Sequence, residues 1–158
     1  MTHPNAERVV AAATAAGLQI EVRQFPEGTR TALEAASAIG VGVGQIVKSL
    51  VFGVDDEIVM ALVSGANTLD ESLLAVVAGG QRCVRVDADA VRAATGFPIG
   101  GVPPFGLATQ LRIFVDPDLL KFDEVWAAAG TWHDVFAIDP RVLQSVTNGV
   151  VVELRRTP

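Results

Sequence analysis

The stretch Ile46–Val63 has the sequence IVKSLVFGVDDEIVMALV, which is typical of a β-hairpin. Its two arms, Ile46–Val54 and Glu57–Val63, are rich in β-branched and apolar residues, and the acidic pair Asp55-Asp56 between them predicts the turn. Strands that follow one another this directly, mixed irregularly with helices, favour a mixed sheet over a doubly wound parallel one. We therefore expect an α+β fold with helices flanking a curved sheet.

Helix signals lie on both sides of this hairpin. Thr31 and Glu34 form a capping box that predicts a helix over Ala32–Ile39. A second cap at Asp116, followed by proline, predicts a longer helix that runs to about Ala129. Further helices are expected at Asn5–Ala16, after Asp70, from Asp87 through Thr95 and after Asp139, and further strands at Leu18–Phe25, Cys83–Val86, Leu111–Val115, Asp134–Ile138 and Val150–Leu154.

The composition indicates a globular chain with a substantial apolar core. Of the 158 residues, half are hydrophobic and 19% are charged, and the mean hydropathy is +0.40. One domain over residues 1–158 is expected for this length. The apolar stretches are too short, or too rich in glycine and proline, to cross a bilayer, and no basic region precedes an apolar one at the amino terminus. We therefore expect a cytoplasmic protein without a membrane partner.

Charge and residue counts argue against several kinds of site. The formal net charge is −6 and the isoelectric point is near 4.8. These values argue against a broad cationic face for DNA or other long nucleic acid, though not against contact with a short nucleic-acid end. The single cysteine, Cys83, excludes an internal disulfide, and two histidines argue against a zinc cluster. We expect neither a metal nor a cofactor.

Lys48 is the first candidate for chemistry because its neighbours along the strand are nearly all apolar. It shares a strand face with Ile46 and Leu50, so this face either borders a cleft or leaves the amine at the rim. The chain has ten arginines and only two lysines, and lysine supplies a compact charge or a tunable amine that arginine does not. The alternative is an edge-strand lysine that prevents aggregation.

The segment Gly96–Gly106 is the second candidate. It holds four glycines and three prolines in eleven residues, so neither a helix nor a central strand is expected there. Glycine permits close backbone approach and proline stiffens the chain. A rigid loop with exposed N–H groups can bind an anion or an oxyanion. The alternative is a wide structural turn.

Two further segments offer polar side chains. His133 is a candidate base or substrate contact, or a favourable charge at the preceding helix end. Ser64 and Asn67 follow a strand and offer a hydroxyl and an amide, whereas Cys83 is expected to pack in the core. No pair of carboxylates stands out at a spacing that would bring two acids together. An amine, backbone amides and an imidazole remain, and this set suits an activated substrate such as an ester.

Three segments together resemble the YbaK/EbsC family, the prolyl-tRNA synthetase-associated editing domain. They are Thr31–Ala36 (TALEAA), Gln45–Phe52 (QIVKSLVF) and Thr95–Gly106 (TGFPIGGVPPFG), in the family's order. The resemblance implies an α+β fold with a curved, mixed, barrel-like sheet. It also implies hydrolysis of the ester that links a wrong amino acid to tRNA, often tRNA for proline, by a free-standing enzyme or a synthetase insert.

The resemblance further implies a trans-acting deacylase without metal or cofactor. Its partners would be the unpaired acceptor end of the tRNA and, as a further candidate, prolyl-tRNA synthetase. Lys48 matches the family's essential lysine and would position the aminoacyl end. Gly101 lies in the loop whose N–H groups would hold the carbonyl as it becomes an oxyanion, with water as the nucleophile. The expected substrate-binding residues are Phe25, Thr31, Ser49, Ser64, Gly100, Val102, Pro103 and His133.

One departure concerns the amino acid removed. Cysteinyl-tRNA deacylases of the family carry a serine and an aspartate at positions that match Ala128 and Val135 here. This change puts a cysteine preference in question, and the expected class is alanine, serine, threonine or cysteine. Two other functions stay open: a non-catalytic module that binds the aminoacyl end or a synthetase, and a pyridoxal phosphate enzyme with Lys48 as its Schiff-base lysine.

Overall fold

The structure, a computed structural model, describes residues 2–157. Five α-helices and two short 3-10 helices surround eight strands in this part of the chain. The helices are α1 (Pro4–Ala15), α2 (Ala32–Ile39), α3 (Glu71–Val77), α4 (Ala88–Thr95) and α5 (Pro140–Thr147), and the 3-10 helices are Val43–Gln45 and Pro117–Lys121. The strands are β1 (Val22–Gln24), β2 (Val47–Val54), β3 (Glu57–Ser64), β4 (Cys83–Arg85), β5 (Arg112–Val115), β6 (Val125–Ala128), β7 (Asp134–Ile138) and β8 (Val150–Val151).

The strands form two sheets. The larger has the order β4-β2-β3-β5-β8 and contains both antiparallel and parallel neighbours, and the smaller, β1-β7-β6, is antiparallel. A parallel bridge between Ile46 and Trp126 joins them at one point. The expected α+β fold with a mixed sheet is confirmed. Over residues 2–157 the sheet does not close into a barrel.

The hairpin of β2 and β3 forms as the sequence predicts, with Lys48 opposite Val63. Successive residues of β3 enter different core clusters. Leu62 packs with helices α1, α4 and α5, whereas Val63 lies in the cluster that includes α3. A strand that is covered on both faces has no polar side, which explains the continuous apolar run in this part of the sequence.

The helix predicted from Asp116 to Ala129 is wrong. Asp116 does cap a helix, but this is the short 3-10 helix Pro117–Lys121, and the chain then forms β6. Val125 and Ala127 pair with residues of β7 and are almost completely buried. Pairing and burial in this sheet outweigh the local helix preference of the alanines, which is worth only tenths of a kcal/mol per residue.

Two predicted strands are shorter than expected. Of Leu18–Phe25, only β1 pairs with β7, while Leu18 and Ile20 pack against the core without a strand partner. Of Val150–Leu154, only the first two residues pair, next to β5. In the first segment the apolar alternation marked the partly buried side chains correctly, whereas Val150 and Val151 are exposed; in both segments strand length depends on where the partner strand ends.

The predicted helix caps position the chain around the sheet. The Thr31 hydroxyl accepts a hydrogen bond from the Glu34 N–H at 3.1 Å, and Asp87 accepts one from Ala90 at 2.8 Å. Helix α2 ends at Gly40, which has a φ of 88°. Among residues 2–157, the helices are all too short or too polar to cross a membrane.

Candidate functional site

Lys48 is partly buried on β2, and its Nζ donates a hydrogen bond to the backbone carbonyl of Asn67. Burial lowers the pKa of the Lys48 ammonium from its ordinary value, because the charged form loses hydration, and the negative charge of Asp116 opposes part of this shift. The amine is therefore held at one point by a neutral acceptor, which leaves its remaining protons available to a ligand.

A buried carboxylate fixes the segment that holds Lys48. Asp116 is 0% exposed and accepts hydrogen bonds from the Asn67 side-chain amide at 2.8 Å, the Ser64 N–H at 3.1 Å and the Asp118 N–H at 2.9 Å. The Asn67 amide is also 2.8 Å from Asp118 Oδ2. These bonds compensate the cost of burying a charged group and hold the Asn67 carbonyl in place.

The glycine loop is held by close backbone packing. Gly101 donates its N–H to the Pro98 carbonyl at 2.9 Å, which closes a turn. A Cβ atom at Gly101 would lie 2.9 Å from the backbone of Gly130, so the loop rests directly on the chain after β6. Trp132 adds a further contact, because its indole N–H donates to the Ile99 carbonyl at 2.7 Å.

The backbone N–H groups of the glycine loop differ in their hydrogen bonding. The N–H of Gly101 is already bonded within the loop. The N–H groups of Gly100 and Val102 make no hydrogen bond to protein in the part of the chain that the structure describes, and both residues line the cavities beside Lys48. The Gly101 N–H is thus occupied within the loop, whereas those of its two neighbours are not bonded to protein in the described residues.

Two adjoining cavities meet at Lys48. The first, which we name the apolar cavity, has a volume of about 370 Å³ and lies between α2, β2, β6 and the glycine loop. Alanine, valine and isoleucine side chains supply much of its wall, with Arg30 and two threonines near α2. Its lining residues are Thr29, Arg30, Thr31, Ala32, Ala35, Ile46, Val47, Lys48, Ser49, Leu50, Ile99, Gly100, Val102, Trp126, Ala127, Ala128 and Val135.

The second cavity, which we name the arginine cavity, has a volume of about 470 Å³. It shares residues of β2 and of the glycine loop with the apolar cavity and extends towards β4 and the end of the chain. Its lining residues are Lys48, Ser49, Leu50, Val51, Phe52, Thr68, Leu69, Glu71, Arg85, Val86, Val91, Ile99, Gly100, Val102 and Arg156. A larger depression of about 810 Å³ lies elsewhere, around β5, and contains no predicted site residue.

The structure brings together half of the predicted site. Thr31, Ser49, Gly100 and Val102 line the apolar cavity together with Lys48. Ser49, Gly100 and Val102 also line the arginine cavity. Each of these residues comes from a segment that the sequence singled out, which explains why their meeting could be expected from the resemblance.

Other predicted site residues lie outside both cavities. Phe25 packs in a core cluster with Trp126, and its carbonyl lies 3.2 Å from Nδ1 of His133. Ser64 is buried and donates its hydroxyl to Gly44 at 2.7 Å. Pro103 is buried in the glycine loop, next to Val102. These residues contribute packing and hydrogen bonds outside the cavity walls.

Sequence reasoning missed several residues near the cavities. Trp126 is 8% exposed and its indole N–H has no hydrogen-bond partner among residues 2–157, as is the case for the Ser49 hydroxyl. Arg30 lines the apolar cavity, and its guanidinium carbon lies 4.2 Å from the centroid of the Trp132 ring. The isolated aromatic in an alanine-rich stretch was the available signal for Trp126.

Acidic, histidine and cysteine side chains are dispersed in this part of the chain. Among residues 2–157 the histidine, cysteine, aspartate and glutamate side chains form no group of three that could ligate a metal ion. The Lys48 amine, the Ser49 hydroxyl and the loop backbone supply polar groups at the junction of the cavities. This arrangement can bind a carbonyl oxygen or an anion.

Comparison with known proteins agrees with this arrangement. The family model of the aminoacyl-tRNA editing domain matches residues 26–146. The chain is 31% identical to an uncharacterised Bacillus subtilis protein, YwhH, over 78% of each chain. It is also 38% identical to the proline–tRNA ligase of Maridesulfovibrio salexigens over 68% of its own length, but this covers only 18% of that enzyme.

A solved structure matches along almost the whole chain. It is the crystal structure of a candidate trans-editing enzyme for prolyl-tRNA synthetase, with 42% identity, a TM-score of 0.94, and coverage of 99% of this chain and 100% of that one. The family match spans both the Lys48 strand and the glycine loop. The chain belongs to the aminoacyl-tRNA editing domain family.

Proposed function

We propose that this protein is a trans-acting aminoacyl-tRNA deacylase that hydrolyses the ester of a small mischarged amino acid. One observation carries the proposal: Lys48 lies where an apolar cavity meets a second, cationic one, beside loop N–H groups that have no protein partner. An aminoacyl-tRNA ester has two matching parts, since it joins an amino-acid side chain to a polyanionic nucleic acid.

The reaction needs one water molecule and no covalent intermediate on the protein. The water oxygen forms a bond to the ester carbonyl carbon, and the carbonyl oxygen becomes an oxyanion near the N–H groups of Gly100 and Val102. The bond from that carbon to the ribose oxygen then breaks, and the proton lost by the water ends on the ribose hydroxyl. Lys48 positions the ester at the junction of the cavities and stabilises the developing negative charge.

The apolar cavity supports a small side chain as the amino acid removed. Ala32, Ala35 and Ala128 are short, and Val135 adds no polar group where cysteine-specific relatives would carry an aspartate. The proposed class is alanine, serine, threonine or cysteine, on tRNA for proline. Prolyl-tRNA synthetase is the proposed partner, and the cytoplasm the proposed location.

The decisive experiment is a deacylation panel. Wild-type protein, Lys48→Ala and Arg141→Ala are incubated with tRNA for proline charged with alanine, serine, threonine, cysteine or proline, and with alanyl-, seryl- and threonyl-tRNA. Arg141→Ala is the control, since it removes one positive charge from a side chain that is 55% exposed and lines neither cavity. We expect release of one or two small amino acids, prolyl-tRNA spared, and a loss of at least about 100-fold in Lys48→Ala alone.

Two outcomes would contradict the proposal. No release from any charged tRNA by the wild type would favour the alternative, a module that binds the aminoacyl end or a synthetase without hydrolysis. Equal activity in Lys48→Ala and wild type would remove Lys48 from the mechanism. A thermal melt of each variant separates lost chemistry from lost fold.

A further inference from the structure

The arginine cavity contains cations that the hydrolysis itself does not use. Arg85 and Arg156 both line it, as does Lys48. Arginines elsewhere in the chain include ion-paired ones, such as Arg112 with Glu57 and Arg141 with Asp139. Neither Arg85 nor Arg156 has a carboxylate within 4.0 Å among residues 2–157.

Separate parts of the chain bring these two arginines to one place. Arg85 ends the edge strand β4, opposite Phe52 of β2. Arg156 lies beyond β8, where its backbone N–H donates to the Thr68 carbonyl at 2.7 Å. Both contacts involve segments that also line the cavity, so the positions of the arginine backbones are fixed relative to Lys48.

The local charge is opposite to that of the whole chain. Three cations line the arginine cavity and one acid, Glu71, whereas the chain has a net charge of −6. A cationic cleft on an acidic protein attracts an anion locally, and the surrounding negative charge limits non-specific binding of long nucleic acid. Arginine suits phosphate in particular, since its planar guanidinium donates two parallel hydrogen bonds.

We propose that Arg85 and Arg156 bind the phosphodiester backbone at the 3′ end of the tRNA, on the side of Lys48 away from the amino acid. This inference rests on the proposed function, because the ester at Lys48 fixes where the terminal ribose lies. The phosphate on the 5′ side of this ribose is then within the cavity that adjoins Lys48. Contact with a single-stranded end requires no broad cationic face.

The test compares two esters of the same amino acid. One is the charged tRNA, and the other is the aminoacyl ester of adenosine, which has no phosphate. For Arg85→Ala and Arg156→Ala we expect kcat/KM on the tRNA to fall about tenfold each, mainly through KM. On the adenosine ester we expect a change of less than about twofold.

Arg141→Ala is the matched control, because it removes the same charge from an exposed arginine that lines neither cavity. The slope of log(kcat/KM) against log salt concentration for the tRNA should also become shallower by about 0.7 for each of the two cavity arginines. The control should leave both the rates and this slope unchanged.

The outcomes separate this inference from the proposed function. Rates on tRNA that match those of Arg141→Ala would overturn the arginine site while the deacylase stands. An equal fall on both esters would also overturn it, because phosphate could not be the cause. If the wild type hydrolyses neither ester, the proposed function fails, and binding of a short RNA that ends in cytidine-cytidine-adenosine decides the arginine site alone: weaker binding by the Arg85 and Arg156 variants supports it, and unchanged binding overturns it.

Discussion

The two cavities that meet at Lys48 differ in the substrate property that each is suited to select. The apolar cavity has short side chains on α2 and β6 in its wall, which suits the proposed selection by size. The arginine cavity has exposed cations on an edge strand and near the chain end, so it discriminates by charge. Steric selection needs rigid walls, whereas electrostatic attraction tolerates mobile side chains.

This contrast explains why the two sets of residues lie in different parts of the fold. The wall residues Ile46, Ala127 and Val135 are 6% exposed or less and sit within the cores. Arg85 and Arg156 are at the surface, where a long side chain can meet a phosphate without loss of packing. The shared elements, Lys48 and the glycine loop, are the parts on which both kinds of selection depend.

The largest effect is expected from a change in the shared loop. In Gly101→Ala the new Cβ would lie 2.9 Å from the backbone of Gly130, so the loop must move. We expect kcat/KM to fall by about 100-fold for every aminoacyl-tRNA, whatever its amino acid. Gly42→Ala is the control, since its φ is −70° and its Cβ would meet only Gln45, at 3.9 Å. A fall in kcat/KM for only one of the aminoacyl-tRNAs would contradict the view that both cavities depend on this loop.

A change in one cavity should alter selectivity alone. Ala128→Val narrows the apolar cavity, so release of threonine should fall about tenfold relative to release of alanine, as expected for a methylene or two in a pocket. The salt dependence should stay the same. Ala11→Val, on an exposed position of α1, is the control. An unchanged threonine-to-alanine ratio of kcat/KM would show that the side chain binds elsewhere.

The smallest effect concerns the charge state of Lys48. Because burial lowers the pKa of its ammonium, Lys48 should titrate below its ordinary value of 10.5. Between the lowered pKa of the folded chain and 10.5, the unfolded chain keeps the Lys48 proton while the folded chain has lost it. The protonated Lys48 therefore lowers the free energy of unfolding at neutral pH, and this cost disappears as the pH rises towards 10.5. The two lysines make the test simple: a ¹⁵N NMR titration of side-chain amines, with Lys121→Arg to assign the signals. Titration at or above 10.5 would contradict the burial.

Much of the fold could be predicted because its signals are local. The β2–β3 hairpin and the caps at Thr31 and Asp87 depend on neighbours a few residues away. The strand β6 could not be predicted, because its pairing partner lies beyond Gly130 and its alanines favour a helix locally. Pairing with β7 decides that segment, and no property of its own sequence reveals it.

The candidate site, like the fold, could be predicted only where its signals are local. Lys48 and the glycine loop have unusual composition, so they stand out, and the structure brings them together. Asp116 was interpreted as a helix cap, which it is, but its second role links it to Asn67, which is 49 positions away. No sequence signal singled out Arg85 or Arg156, because only the folded chain places them in one cavity.

The most direct test of the account is a crystal structure with a non-hydrolysable substrate analogue, alanine joined to the 3′-amino group of 3′-amino-3′-deoxyadenosine through an amide. We predict the alanine methyl group in the apolar cavity near Ala128, the amide oxygen within hydrogen-bond distance of the Gly100 or Val102 N–H, and the nucleoside directed into the arginine cavity. An analogue bound with its amide away from Lys48, or with its nucleoside in the apolar cavity, would contradict the assignment of the two cavities.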